Sequence, residues 1–114
     1  MAKLSTIILV TRNGMGQADS ELSHKLINSY FDLLIAHDKL PECVCFYAEG
    51  VKLCTEGSPI LDVLKELEER GVKLSICGTC LNFFGLTKKI KVGQVGNMLG
   101  LIETQWNSEK VITI

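Results

Sequence analysis

The sequence predicts an α/β fold, a three-layer sandwich built around a mainly parallel five-stranded sheet. Three observations predict it. Short apolar runs such as STIILV, Ser5 to Val10, are rich in β-branched residues and lack polar alternation, as strands covered on both faces do. These runs alternate with longer segments whose apolar residues recur at helical spacing. Glycine, proline and capping residues stand where each element should start or stop.

Ser5 to Val10 gives the first strand, and TRNGMGQAD follows, with Gly14 and Gly16 making a flexible turn. Asp19 or Ser20 caps the next helix, which runs from Glu21 to about Asp38. Leu22, Leu26, Tyr30, Leu33 and Leu34 form its expected buried face. Pro41 interrupts, and CVCFY, Cys43 to Tyr47, reads as a second buried strand. AEGVKLCTEG reads as a loop. Ser58 and Pro59 start a second helix, since proline is preset for the first helical position. Ile60, Leu61, Leu64 and Leu67 are its inward residues, and Gly71 closes it. VKLSI, Val72 to Ile76, is the third strand. After CGTC comes a short helix from Thr79 to Phe84, stopped by Gly85. Ile90 to Val92 reads as a brief fourth strand. Gln94 to Trp106 reads as a helix with Val95, Met98, Leu99, Ile102 and Trp106 on its stripe, and Lys110 to Ile114 is the last strand.

A chain of 114 residues suits one domain, residues 1–114. Net charge is −1 and the pI is near 6.1, which gives no electrostatic case for nucleic acid or anionic membrane. The apolar run near the start, Ile7 to Val10, is too short for a signal segment or a membrane span. A cytoplasmic location is therefore expected. Five cysteines, an odd number without an export signal, point to reduced thiols rather than a disulfide framework. A mean hydropathy of +0.24 in so short a chain leaves apolar surface for a neighbour to cover, so a homo-oligomer is expected.

The chemistry concentrates in LSICGTCLNFFG, Leu74 to Gly85. Parallel sheets gather ligands beyond the carboxyl ends of their strands, where both Cys77 and the Gly14–Gly16 loop fall. Cys77 precedes a helix, whose free N–H groups favour the reactive thiolate. Gly78 lets the backbone approach a bound sulfur, and Cys80 lies one turn on, placed to resolve an adduct on Cys77. That suits a persulfide or redox exchange. Three other readings stand beside it. Both cysteines could be small core residues. A thioredoxin-type dithiol would place CxxC after the first strand and set a cis-proline opposite, whereas here it follows the third. Zinc needs four thiolates, and Cys43, Cys45, Cys77 and Cys80 supply that number. Cys43 and Cys45, two apart on a strand, suit core filling better than a zinc knuckle. Cys54, in the expected loop, is a bystander whose exposure would make it reactive.

Elsewhere the signals are weaker. NGMGQAD has G-x-G between a strand and a helix but lacks the third glycine of a dinucleotide fingerprint, so a plain turn is favoured over a phosphate cradle. His24 and His37 point to different sides of one helix. Lys88, Lys89 and Lys91 read as a solvated surface, and Glu49 and Glu56 are given no catalytic role.

EGSPILDVLKELEERGVKLSICGTCLNFFGLTKKIKVGQVGNM, from Glu56 to Met98, closely resembles the DsrE-like sulfur-relay family. Within it the sequence is most similar to the C-terminal domain of YedF-type proteins, which are linked to selenium metabolism. Gly16, Asp19, Glu21 and Leu22 resemble the family's first loop, and the likeness covers nearly the whole chain. It implies a DsrE-like sandwich of flavodoxin-like topology, an oligomer, and a sulfur-bearing cysteine at the third strand's end, which only Cys77 matches. Cys80 matches the second cysteine of the YedF-like branch. Gly96 stands where that branch usually has a hydroxyl residue. YedF-type proteins usually carry a TusA-like domain before this one, and the chain opens directly on the DsrE-like part, so a TusA-like carrier is expected as a separate partner. The expected function is a sulfur, or selenium, carrier of sulfurtransferase type. Cys77 and Cys80 carry the chemistry, Gly78, Thr79, Gly14, Gly16 and Asn97 line the substrate or anion site, and no cofactor or metal is expected. The alternatives are an oligomeric small-anion or nucleotide binding module, and a non-catalytic subunit of a sulfur-relay complex.

Overall fold

Five short runs form one sheet in the computed structural model, which describes residues 5–114. In chain order the elements are β1 (Thr6–Val10), α1 (Ser20–Ala36), β2 (Cys43–Phe46), a 3₁₀ segment (Ala48–Cys54), α2 (Leu61–Glu69), β3 (Lys73–Cys77), α3 (Gly78–Phe83), β4 (Gln94–Gly96), α4 (Met98–Asn107) and β5 (Lys110–Thr113). The strand order is β4-β3-β2-β1-β5, and every pairing is parallel.

The order of the strands explains the layers. From β1 to β4 each strand is laid down on the same side of the one before it. Right-handed crossovers then place α1, α2 and α3 on one face. The step from β4 to β5 runs back across the whole sheet, so the same handedness puts α4 on the opposite face. Ile8, Val10, Val44, Phe46, Leu74 and Ile76 point to the three-helix side and join Ile27, Phe31, Leu64, Leu67 and Leu81 in the main core. Ile7, Leu9, Cys43 and Cys45 point the other way, into a thinner core touched by Leu101 of α4.

Several expectations are corrected. The buried face of α1 is Ser23, Ile27, Phe31 and Ile35. Leu22, Leu26 and Leu33 are exposed, while Tyr30 and Leu34 pack at the core's margin. Two apolar faces compete on this helix, and the inward one takes the larger Phe31 and sets the small Ser23 against the first loop. There Gly14, at φ 138°, comes so close to Ser23 that a Cβ would collide with it. The segment expected as a loop, Ala48–Cys54, is a 3₁₀ helix with Val51, Leu53 and Cys54 buried. Ile90 makes only an isolated antiparallel bridge with Thr55 rather than a strand over 90–92. The fourth strand is instead Gln94–Gly96, taken from the start of what reads as a helix, so α4 begins at Met98. Asn97 causes that break, because its side chain accepts from the Gly100 N–H at 2.8 Å and caps the helix. α2 starts two residues after Pro59, following a turn in which Ser58 Oγ accepts from the Ile60 N–H.

Candidate functional site

Cys77 is the last residue of β3 and the N-cap of α3, with φ −62° and ψ 116°. The extended backbone of a buried strand here turns directly into a helix, leaving Cys77 half-buried at the carboxyl edge of the sheet. It packs against the main core and also lines a small cavity on the α4 side. That cavity, ≈ 20 Å³, is bounded by Cys45, Tyr47, Ser75, Cys77, Gly96, Asn97 and Leu101, among others. A space of this size holds about one water-sized guest.

The Cys80 thiol shares a hydrogen bond with Cys77. Its sulfur also accepts from the Ala48 N–H at 3.1 Å. Burial pushes the Cys80 thiol up from its ordinary value, the bond to Cys77 adds to that, and the Ala48 N–H opposes it. Cys77, the N-cap of α3 and half-buried at the strand end, is the more accessible of the two to a reactant at the sheet edge. Ala48 holds φ 52°, a left-handed conformation that an alanine adopts at a cost. That conformation aims its N–H at the sulfur.

Gly96 lies opposite Cys77 in the β3–β4 register. A Cβ there would run into the Ser75 hydroxyl, so the space beside Cys77 is filled by that hydroxyl from the neighbouring strand. Gly78 lets the start of α3 sit against Val95 and the Gly96 carbonyl. Thr79 is exposed and stands outside the cavity. Asn97 lines it, with its side-chain oxygen committed to the cap. Gly14 and Gly16 are not brought to the thiols. Gly16 borders a separate open depression with Arg12, Asn13 and Ser23, and Gly14 packs on α1.

The remaining cysteines divide in two. Cys43 and Cys45 are buried on the α4 face with their sulfurs 3.6 Å apart. Their shared hydrogen bond lowers the Cys43 thiol and raises Cys45, so a negative charge on the pair sits on Cys43. Cys54, expected to be an exposed loop thiol, is fully buried in the main core, and that burial raises its pKa and makes it inert. All five thiols are free, and among the described residues no group of three or more His, Cys, Asp or Glu could hold a metal ion. His24 meets Asn13 at 3.3 Å, and Glu49 pairs with Lys52, which lies over the Phe84 ring. Lys88, Lys89 and Lys91 are exposed. No helix among the described residues is long and apolar enough to cross a membrane.

Sequence reasoning missed Ala48, Ser75 and Cys45 as neighbours of Cys77. Period-two alternation on β3 pairs Ser75 with Cys77 and was a usable signal. Ala48 had none, because its contact depends on how the 3₁₀ segment folds.

A parallel α/β sandwich with a paired thiol at the carboxyl end of its third strand defines the class. The profile of the DsrE/DsrF-like family matches residues 5–114, and the chain belongs to that family, which is in general related to sulfur relay. Solved structures share the fold. The ychN protein from E. coli superposes with a TM-score of 0.68 at 17% identity, covering 97% of this chain and 100% of its own. MTH1491 from Methanobacterium thermoautotrophicum, a protein of unknown function, gives 0.74 at 18% identity, covering 98% and 100%. BT1422 from Bacteroides thetaiotaomicron, also of unknown function, gives 0.71 at 17% identity, covering 96% and 95%. No curated protein matches.

Proposed function

We propose that the protein is a sulfur carrier that holds sulfane sulfur, or selenium in its place, as a persulfide on Cys77. One observation carries this reading: Cys77 ends β3 and caps α3 beside a small cavity at the open end of the sheet, with the Cys80 thiol one turn on and held by the Ala48 N–H. The Cys77 thiolate attacks the terminal sulfur of a donor persulfide, an S–S bond forms on Cys77, and the donor leaves as a thiolate. Transfer onward is the reverse, an acceptor thiolate taking the terminal sulfur and Cys77 leaving as thiolate; in a separate reductive discharge Cys80 attacks Cys77 Sγ, closes a disulfide and expels sulfide. The CGTC motif and its likeness to the YedF-type branch support a second, protective thiol. Intact-protein mass after incubation with a sulfane-sulfur donor tests the reading. Wild type should gain one sulfur mass, Cys77→Ser should gain none, and Cys80→Ser should load but discharge more slowly. Normal loading of Cys77→Ser would overturn it.

The carrier works as a homo-oligomer and exchanges sulfur with a TusA-like protein. Support for the oligomer comes from α4, which among the described residues is the one helix on its face of the sheet. Met98, Leu99, Ile102 and Trp106 point outward from it, with Val95 and Val111 beside them. Exposed large apolar side chains in this number on one helix are characteristic of interaction surfaces.

A further inference from the structure

We propose that the Ser75 hydroxyl holds the transferred atom, donating a hydrogen bond to the terminal sulfur of the Cys77 persulfide in the small cavity between them. The inference rests on the reading of Cys77 as sulfur acceptor and names the residue that binds what Cys77 carries. Three observations carry it. First, Ser75 and Cys77 are two apart on β3, share a face of the sheet and line the same cavity. Second, the Ser75 hydroxyl has no hydrogen-bond partner among the described residues, although no buried polar side-chain atom among them lacks one. That hydroxyl is therefore not sealed into the packing, and its donor is free at the cavity wall. Third, Gly96 stands opposite Cys77 in the register, and its missing side chain leaves the room that the hydroxyl occupies.

The reach favours the loaded state. Same-face neighbours on a strand stand about 6.6 Å apart, and across that gap the hydroxyl makes no hydrogen bond to the bare Cys77 thiol. A persulfide lengthens the Cys77 side chain by one bond of about 2.05 Å and brings its end atom toward Ser75. The cavity of ≈ 20 Å³ leaves room for one such atom. Ser75 thus acts on the persulfide and not on the free thiol.

The chemistry balances without a further reactant. As the Cys77 thiolate takes the terminal sulfur, the Cys77 Sγ–S bond forms, the donor S–S bond breaks, and the donor leaves as thiolate with the electron pair. The terminal S–H then gives its proton to solvent, and the resulting anion accepts from the Ser75 O–H. A hydrogen bond to the charged form lowers its pKa. The cavity lining holds no Asp, Glu, His, Lys or Arg, so neutral donors must supply that stabilisation. The titratable groups that face Cys77 are Cys45 and Tyr47 at the end of β2 and Cys80 on α3, while Gly96, Met98 and Leu101 bring none from β4 and α4. Glu42, Lys73 and Glu103 belong to a wider, open depression that Ser75 also borders.

The pH dependence of alkylation tests this. The protein is loaded with cysteine persulfide, treated with iodoacetamide over a pH series, and digested with trypsin, with unloaded protein run alongside. Tryptic peptide 74–88 holds Cys77 and Cys80, and fragment masses place the label on one or the other. Ser75→Ala should raise the alkylation midpoint of the terminal sulfur by about one pH unit, the effect of losing one hydrogen bond to a charged group. It should leave the midpoint of the unloaded Cys77 thiol at its wild-type value. Gly96→Ala, whose Cβ drives the hydroxyl out of place without removing it, should raise the loaded midpoint as well. A loaded midpoint unchanged in both variants would overturn the role of Ser75 and leave Cys77 as carrier. Equal shifts of the loaded and unloaded midpoints would also overturn it, since they mark a general disturbance of the strand end. No sulfur on Cys77 in wild type would overturn the carrier reading itself, and the Ser75 contact with it.

Discussion

Gly96 shows how one missing side chain sets the shape of the thiol cavity. Because a Cβ there would meet the Ser75 hydroxyl, Gly96→Ser should narrow the space beside Cys77. We expect slower persulfide loading of Gly96→Ser by mass, with thermal stability lowered by about 1–3 kcal/mol from overpacking. Ala48 is the converse case, a side chain where none is wanted. Relieving its left-handed backbone with Ala48→Gly should raise stability by about 0.5–1 kcal/mol, readable in urea unfolding. Cys54 gives a pH signature. Its buried thiol stays protonated in the folded state while the unfolded thiol ionises above about pH 8.5. Above that pH the folded chain holds the extra proton, so stability is complete below it and falls as pH rises. Urea unfolding in reductant should show this decline, and Cys54→Ala should make it shallower, the raised Cys45 and Cys80 thiols carrying the rest. The sequence revealed Cys77 through its place at a strand end. It concealed the burial of Cys54, because a 3₁₀ segment has no strong period to read.

At the level of elements, α1 and α4 show what periodicity can and cannot tell. Each carries apolar residues on more than one side, so spacing alone found a helix without finding its inward face. On α1 the winning face is the one with Phe31. Phe31→Ala should cost about 3–5 kcal/mol, whereas Leu26→Ala, on the exposed side, should stay within about 0.5 kcal/mol in the isolated chain. On α4 the stripe was seen correctly as apolar, but it points away from the sheet, and only Leu101 enters the thinner core. The start of that helix is hidden in the sequence because Gln94–Gly96 is too short to show alternation. Asn97 marks the true boundary, and Asn97→Ala should lower stability by about 1 kcal/mol through loss of the cap, checked by thermal unfolding.

For the whole molecule, the alternation of strands and helices made the α/β class legible, and CGTC at a strand end made the thiol site legible. The strand order was not: the flavodoxin-like topology implied by the resemblance runs 2-1-3-4-5, whereas here β5 joins the outer edge of β1, and nothing local to Lys110–Thr113 says so. Among the described residues that order leaves α4 as the sole helix over one face, with Trp106 82% exposed at its end. If this face is an oligomer contact, Trp106→Glu should lower the mass seen by analytical ultracentrifugation without changing the circular dichroism spectrum. The same order has a consequence for biosynthesis. β5 docks on β1, and Glu109 hydrogen-bonds to Ser5 across 104 residues of sequence. A nascent chain cannot satisfy the outer edge of β1 until Lys110–Thr113 has left the ribosome. Until then an apolar strand waits with one side open, available to chaperones and to the wrong neighbours.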